Sequence, residues 1–147
     1  MTFFYSCNLY YFKYALFYFS SFFQIIIKGD ETSRTKGKKN ELSQAILNLI
    51  NNAKEAFIKR KIQNGVINIS ITENEICIED NARGVDTKIR EKLFENYVST
   101  KTSGGGIGLS MSKLIIQKHF GAKLLYTPVE KGSLFCICFT PQEKKKN

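Results

Sequence analysis

The chain has 147 residues, 43% of them hydrophobic and 24% charged, which suits one packed domain of about 100–150 residues with short extensions and excludes disordered and collagen-like classes. Twenty-two Lys and Arg against 13 Asp and Glu leave a formal charge of +9, a balance that draws anionic partners without choosing among them. The basic runs at 36–39 and 144–146 act as solvated ends, and with no nucleic-acid motif beside them no nucleic-acid partner is expected.

Residues 1–28 stand apart in composition. Positions 3–23 hold seven of the twelve Phe and five of the seven Tyr, and Lys13 interrupts them. The uncharged run Tyr14–Ile27 has fourteen residues, short of the roughly 20 that a spanning helix needs. Three origins stay open: a truncated membrane anchor, a hydrophobic segment that needs a partner, or a non-native extension without an evolved role. Membrane association through residues 1–27 is an expectation of the first alone. Residues 29–40, GDETSRTKGKKN, are polar and rich in turn formers and read as a linker. The domain is expected over 41–141, with a basic tail at 142–147.

Within the domain, Glu41–Ile62 spaces Leu42, Ala45, Ile46, Leu49, Ile50, Ala53, Ala56 and Phe57 by threes and fours, predicting an amphipathic helix with one face on a core. Ile67, Ile69 and Ile71 alternate with polar residues, and Ile76 and Ile78 follow after Glu73-Asn74, which predicts a two-stranded hairpin. A short helix is expected over Thr87–Lys92. A longer one is expected over Ile107–Phe120, striped by Ile107, Met111, Leu114 and Ile115. Strands follow at Ala122–Tyr126 and Leu134–Phe139, with Lys131-Gly132 between them and Pro141 ending the run. This order argues for an α+β fold, a two-layer sandwich with helices on one face of a mixed, mainly antiparallel sheet. Cysteines at 7, 77, 136 and 138, with His119 as the sole histidine, form no CxxC pair and no zinc set. Reduced thiols are expected.

Four short blocks carry the chemistry. In QAILNLINNAKEA, Asn48 and Asn52 lie one turn apart and project the same way; their amide oxygens suit a hard cation, its bound water or phosphate, although paired Asn also serve as surface and capping groups. In EDNARGVD, Asp80 stands at a strand end, where an acceptor-only carboxylate can meet an exocyclic amine, and Gly84 allows close backbone approach. The same residues also make an ordinary turn. LFENYVSTK ends at Lys101 and leads to SGGGIGLSMSK, whose glycines at 104, 105, 106 and 108 precede or open a helix. Free N–H groups and the helix dipole there suit an anion, and a flexible loop is the alternative. The spacing matches neither a P-loop nor a Rossmann fingerprint.

In this order and at these separations the blocks closely resemble the N, G1, F and G2 boxes of the histidine-kinase-type ATPase domain, the Bergerat fold shared with gyrase, heat-shock chaperone and mismatch-repair ATPases. The resemblance runs from about Glu41 to Pro141. It implies ATP and Mg²⁺ as cofactors, with Asn52 on the metal and Asn48 supporting it. It implies Asp80 as acceptor for the adenine amine, with Gly84 and Val85 beside the base, and Phe94, Tyr97, Thr100 and Lys101 in a mobile lid. Gly104, Gly105, Gly106, Ile107, Gly108 and Leu109 would wrap the phosphates. Two departures are visible: Ala82 stands where the G1 box often has glycine, and Glu55 stands near the phosphates where many relatives have Lys or Arg.

Hydrolytic branches of the superfamily carry a glutamate four residues before the metal asparagine, where it can take a proton from water. Asn48 occupies that place, so the similarity is closest to two-component sensor histidine kinases, which transfer the γ-phosphoryl to a histidine. That branch implies a histidine-bearing dimerisation domain as partner, a response regulator indirectly, and a cytoplasmic location, at the inner face of the membrane if residues 1–27 anchor the chain. No H-E-x-x-x-P-like run occurs here, and His119 in KHFGAK reads as a helix-end histidine. A non-catalytic or anti-sigma-like nucleotide-binding module, or a decayed kinase fragment, is the alternative.

Overall fold

A computed structural model describes residues 23–29, 33, 35–95 and 108–139. Five strands form one sheet in the order β1-β2-β3-β5-β4, with two helices on one face. The strands are β1 (Phe23–Gly29), β2 (Gly65–Ile71), β3 (Glu75–Asp80), β4 (Lys123–Val129) and β5 (Gly132–Cys138), and the helices are α1 (Lys39–Lys59) and α2 (Gly108–Phe120). β1 runs parallel to β2, whereas the remaining pairs are antiparallel. The expected α+β architecture is therefore present.

The sheet begins earlier than the sequence suggests. Phe23–Gly29, placed by composition at the end of the N-terminal segment and the start of the linker, is a strand in register with Gly65–Ile71. Its run Ile25–Ile27 has no alternation to signal a strand, and its partner lies on the far side of α1 in the chain. Thr87–Ile89 forms a 3₁₀ turn rather than the expected short helix. In the β4–β5 hairpin, Glu130 and Lys131 make the turn while Gly132 already pairs with Val129.

The core lies between the sheet and the helices. Leu42, Ala45, Ile46, Leu49, Ile50, Ala53 and Phe57 of α1 meet Ile67, Ile69 and Ile71 of β2, Ile76 and Ile78 of β3, and Ile115 and Ile116 of α2. Leu124, Phe135 and Ile137 complete it. Every second strand residue contributes, as the pleat requires. α1 stops in a Schellman arrangement: Lys61 adopts φ +53°, the Lys61 N–H donates to the Ile58 carbonyl and the Ile62 N–H to the Phe57 carbonyl at 2.9 Å. Arg60, the last residue before this reversal, is thereby aimed toward the loop after β3.

On the opposite face of the sheet, Cys77 of β3 stands in register with Cys136 of β5, and the two form a disulfide. This corrects the expectation of reduced thiols at those positions. Antiparallel pairing brings the side chains together although they are 59 residues apart, and nothing in local sequence reveals that register. Cys138, two residues on and on the same face, is a free thiol that burial pushes above its ordinary pKa.

Candidate functional site

α1 and α2 pack side by side, and the N-terminus of α2 lies against the middle of α1. Gly108 opens α2, and a Cβ added there would come 4.0 Å from Oδ1 of Asn52. The Asn52 Nδ2 is buried and has no hydrogen-bond partner among the described residues. A buried amide without a partner costs about 1–3 kcal/mol, which makes Asn52 a candidate ligand-binding group. Asn48, one turn earlier, is already engaged: its Nδ2 donates to Ser112 Oγ at 3.2 Å, and that hydroxyl donates to the Gly108 carbonyl at 2.9 Å. Ser112 is fully buried and clasps the two helices beside the opening of α2. Sequence reasoning missed it; the available signal is a hydroxyl four residues after Gly108, next in phase to Ile115 and Ile116.

At the far end of the site Asp80 closes β3 on the helix-facing side of the sheet and is 8% exposed. Oδ1 accepts the Ala82 N–H at 2.8 Å, and the Ser133 N–H also donates to the carboxylate. Burial nevertheless raises its pKa above the ordinary value of 3.8; the two backbone donors and Arg60 oppose the rise, and Glu79 adds to it. Beside it Gly132 leaves no room for a side chain, because a Cβ would collide with the Asp80 backbone. The following loop turns through Arg83 at φ +68° and Gly84 at φ +70°. A Cβ on Gly84 would lie 3.0 Å from the Gly132 carbonyl, so this position takes glycine for both reasons.

Asn48, Asn52 and Gly108 are thus brought together where α1 meets α2, Asp80 and Gly84 come together beside Gly132, and Val85 and Leu109 pack against the core. Glu55 lies exposed on α1, one turn beyond Asn52. Phe94 sits edge-on to Phe135 at 6.5 Å between ring centres, with the Lys113 ammonium 5.3 Å over its ring. Tyr97, Thr100, Lys101, Gly104, Gly105, Gly106 and Ile107 fall outside the described residues. His119 is near the C-terminal end of α2, about 16 Å along the helix from Gly108, and is not part of this arrangement.

A buried carboxylate at a strand end, an unpartnered amide in the middle of α1 and a glycine-opened start of α2 suit a ligand with a hydrogen-bonding base and anionic groups. The family model described as histidine kinase-, DNA gyrase B-, and HSP90-like ATPase matches residues 37–144. The chain belongs to this ATPase family. Among curated proteins it is similar to Sporulation kinase A of Bacillus subtilis (strain 168), 34% identical over 107 residues that cover 70% of this chain and 17% of the relative. It is also similar to the signal transduction histidine-protein kinase AtoS of Escherichia coli (strain K12), 37% identical over 93 residues, 63% of this chain and 15% of that one. The chain thus spans about a sixth of the length of these relatives. Among solved structures, the catalytic domain of histidine kinase ThkA shares the fold with a TM-score of 0.68 at 24% identity, over 88% of this chain and 85% of that one. The ATP binding domain of PrrB from Mycobacterium tuberculosis does so with a TM-score of 0.64 at 18% identity, over 93% and 92%. The resemblance to the sensor-kinase branch and the Bergerat-type fold expected from the four blocks are both borne out. No described helix is long and apolar enough to cross a membrane.

Proposed function

We propose that the chain is the ATP-binding catalytic domain of a sensor histidine kinase, which transfers the γ-phosphoryl of ATP to a histidine on a separate dimerisation domain, from which a response regulator takes it. The observation that carries this reading is Asn52, whose Oδ1 lies 4.0 Å from where a Gly108 Cβ would stand at the start of α2 and whose buried Nδ2 has no hydrogen-bond partner among the described residues. The atom nearer that helix start is Oδ1, the kind of oxygen ligand that Mg²⁺ prefers. Bound there, Mg²⁺ would neutralise phosphate charge. Gly104, Gly105, Gly106, Ile107, Gly108 and Leu109 form the phosphate loop in this reading, with Thr100 and Lys101 in the lid and Glu55 at its margin.

The chain's own residues then divide the work. Asp80, ionised, accepts the exocyclic amine of adenine, and the Gly84–Val85 backbone forms the wall beside the base. The N–H groups that open α2 meet the phosphates with the positive end of the helix dipole. Asn48 has no basic oxygen to deprotonate water, and its amide is tied to Ser112, which favours transfer to a positioned acceptor over hydrolysis. The work belongs on the cytoplasmic side of the membrane, where ATP is supplied. Mixing the chain with a histidine-bearing dimerisation domain and γ-labelled ATP should yield acid-labile phosphate on that domain. Nucleotide binding without any transfer would leave the chain a binding module, and absence of ATP binding would refute the site itself.

A further inference from the structure

Arg60 is the last residue of α1 before the chain reverses, yet its guanidinium reaches into the loop after β3. Nη1 donates to the Ala82 carbonyl and, at 2.7 Å, to the Gly84 carbonyl. A peptide unit is planar, so its carbonyl and the following N–H point in opposite directions. The other ends of these same two units are also held: the Arg83 N–H donates to the Lys131 carbonyl at 2.9 Å, and the Val85 N–H to the Tyr126 hydroxyl at 3.4 Å. Arg90 adds a bond from Nε to the Val85 carbonyl at 3.0 Å. The loop needs such holding, since Arg83 adopts the left-handed conformation without being glycine, which is intrinsically unfavourable for a residue with a Cβ.

We infer that Arg60 is a positioning residue for base recognition, fixing the two peptide units of the Ala82–Val85 loop so that the wall beside Asp80 accepts adenine. This rests on the nucleotide-site reading above and adds to it a residue on the far side of the loop from the ligand. One guanidinium orients both units, and it links the helix that carries Asn52 to the loop that meets the base. The phosphate end of the site, at Gly108, makes no described contact with Arg60, so the effect falls on the base end alone. Lysine is a partial replacement: its ammonium can also donate to two carbonyls, but as a point charge on a flexible stem it is less firmly directed than the rigid planar guanidinium.

The test compares ATP with inorganic tripolyphosphate on the full 147-residue chain by titration calorimetry, for the wild type, Arg60→Met and Arg60→Lys. Arg60→Met should weaken ATP about tenfold, the scale of a lost charge-assisted hydrogen bond, while tripolyphosphate stays within about twofold; Arg60→Lys should recover part of the loss. Urea melts of each variant show whether it is folded, and Arg60→Lys keeps the comparison open if Arg60→Met is not. Parallel losses for both ligands, or an unchanged ATP affinity in folded Arg60→Met, would overturn the inference while leaving the nucleotide site standing. A wild type that binds tripolyphosphate and ATP equally would overturn the adenine reading itself, and the inference with it.

Discussion

Replacing Asp80 by asparagine keeps the size of the side chain and removes only its charge and one acceptor. In the free protein the carboxylate takes N–H donors from Ala82 and Ser133. The amide oxygen introduced by Asp80→Asn could keep one of them, but the new NH₂ would then face either the second backbone donor or the amine of the base, donor against donor. Losing one hydrogen bond to a charged acceptor is worth about 1.5–3 kcal/mol, so ATP should bind roughly ten- to a hundredfold more weakly, while tripolyphosphate, held at Gly108, should be little affected. The pH dependence adds a second signature. Burial raises the folded-state pKa above 3.8, so the stability that Asp80 contributes is present below 3.8 and is lost as pH rises through the raised value. Base recognition runs the other way, improving as the carboxylate ionises. Wild-type stability relative to Asp80→Asn should therefore fall with rising pH over the interval in which adenine-nucleotide affinity rises. Calorimetry with ADP and urea melts across the acid range measure both. Equal loss of ATP and tripolyphosphate, or the same pH profile in both proteins, would refute the assignment of the base to this carboxylate.

Asn52→Ala should abolish most of the difference between ATP binding in Mg²⁺ and in chelator, and should slightly stabilise the unliganded fold by deleting a buried orphan amide, both readable by calorimetry and thermal melting. Ser112→Ala should leave Asn48 Nδ2 without this partner and lower stability by about 1–3 kcal/mol in urea melts. Reducing the Cys77–Cys136 bond frees a loop of 59 residues and should lower the urea midpoint, by at most about 4 kcal/mol of stability on chain-entropy grounds; an unchanged midpoint in reductant would show that the bond constrains nothing. Incubating the chain alone with Mg²⁺ and γ-labelled ATP should leave no acid-labile phosphate on His119, checked by mass spectrometry.

Most of the helix layer was legible because its signal is local. Leu42 to Phe57 repeat by threes and fours, and the isoleucines of β2 and β3 alternate around a polar turn. Asp80 and Asn52, taken block by block, read equally as a turn and as surface amides, and only the order and spacing of the four blocks together singled them out. What local pattern could not carry were contacts set by register and crossover. β1 pairs with a strand beyond α1, Cys77 meets Cys136 across two strands, and Arg60 reaches carbonyls 22 and 24 residues on. Ser112 was hidden for a different reason. A hydroxyl inside a helix usually bonds its own backbone, and only the approach of α1 gives it a second partner.

The place of β1 bears on where this protein can be cut. The match to the ATPase family begins at residue 37, and a chain started there would fold without Phe23–Gly29. Gly65 packs so close to the rings of Phe57 and the Cβ of Phe23 that a Cβ of its own would sit 2.8 Å from one and 3.0 Å from the other; taking Phe23 away uncovers Phe57 at the foot of α1. β2 would become an outer strand, its row of N–H and C=O groups from Gly65 to Ile71 open to water and to other molecules. Such an unpaired margin is a template for intermolecular pairing and precipitation, so material trimmed at the family boundary should be less soluble than material that keeps the strand before it.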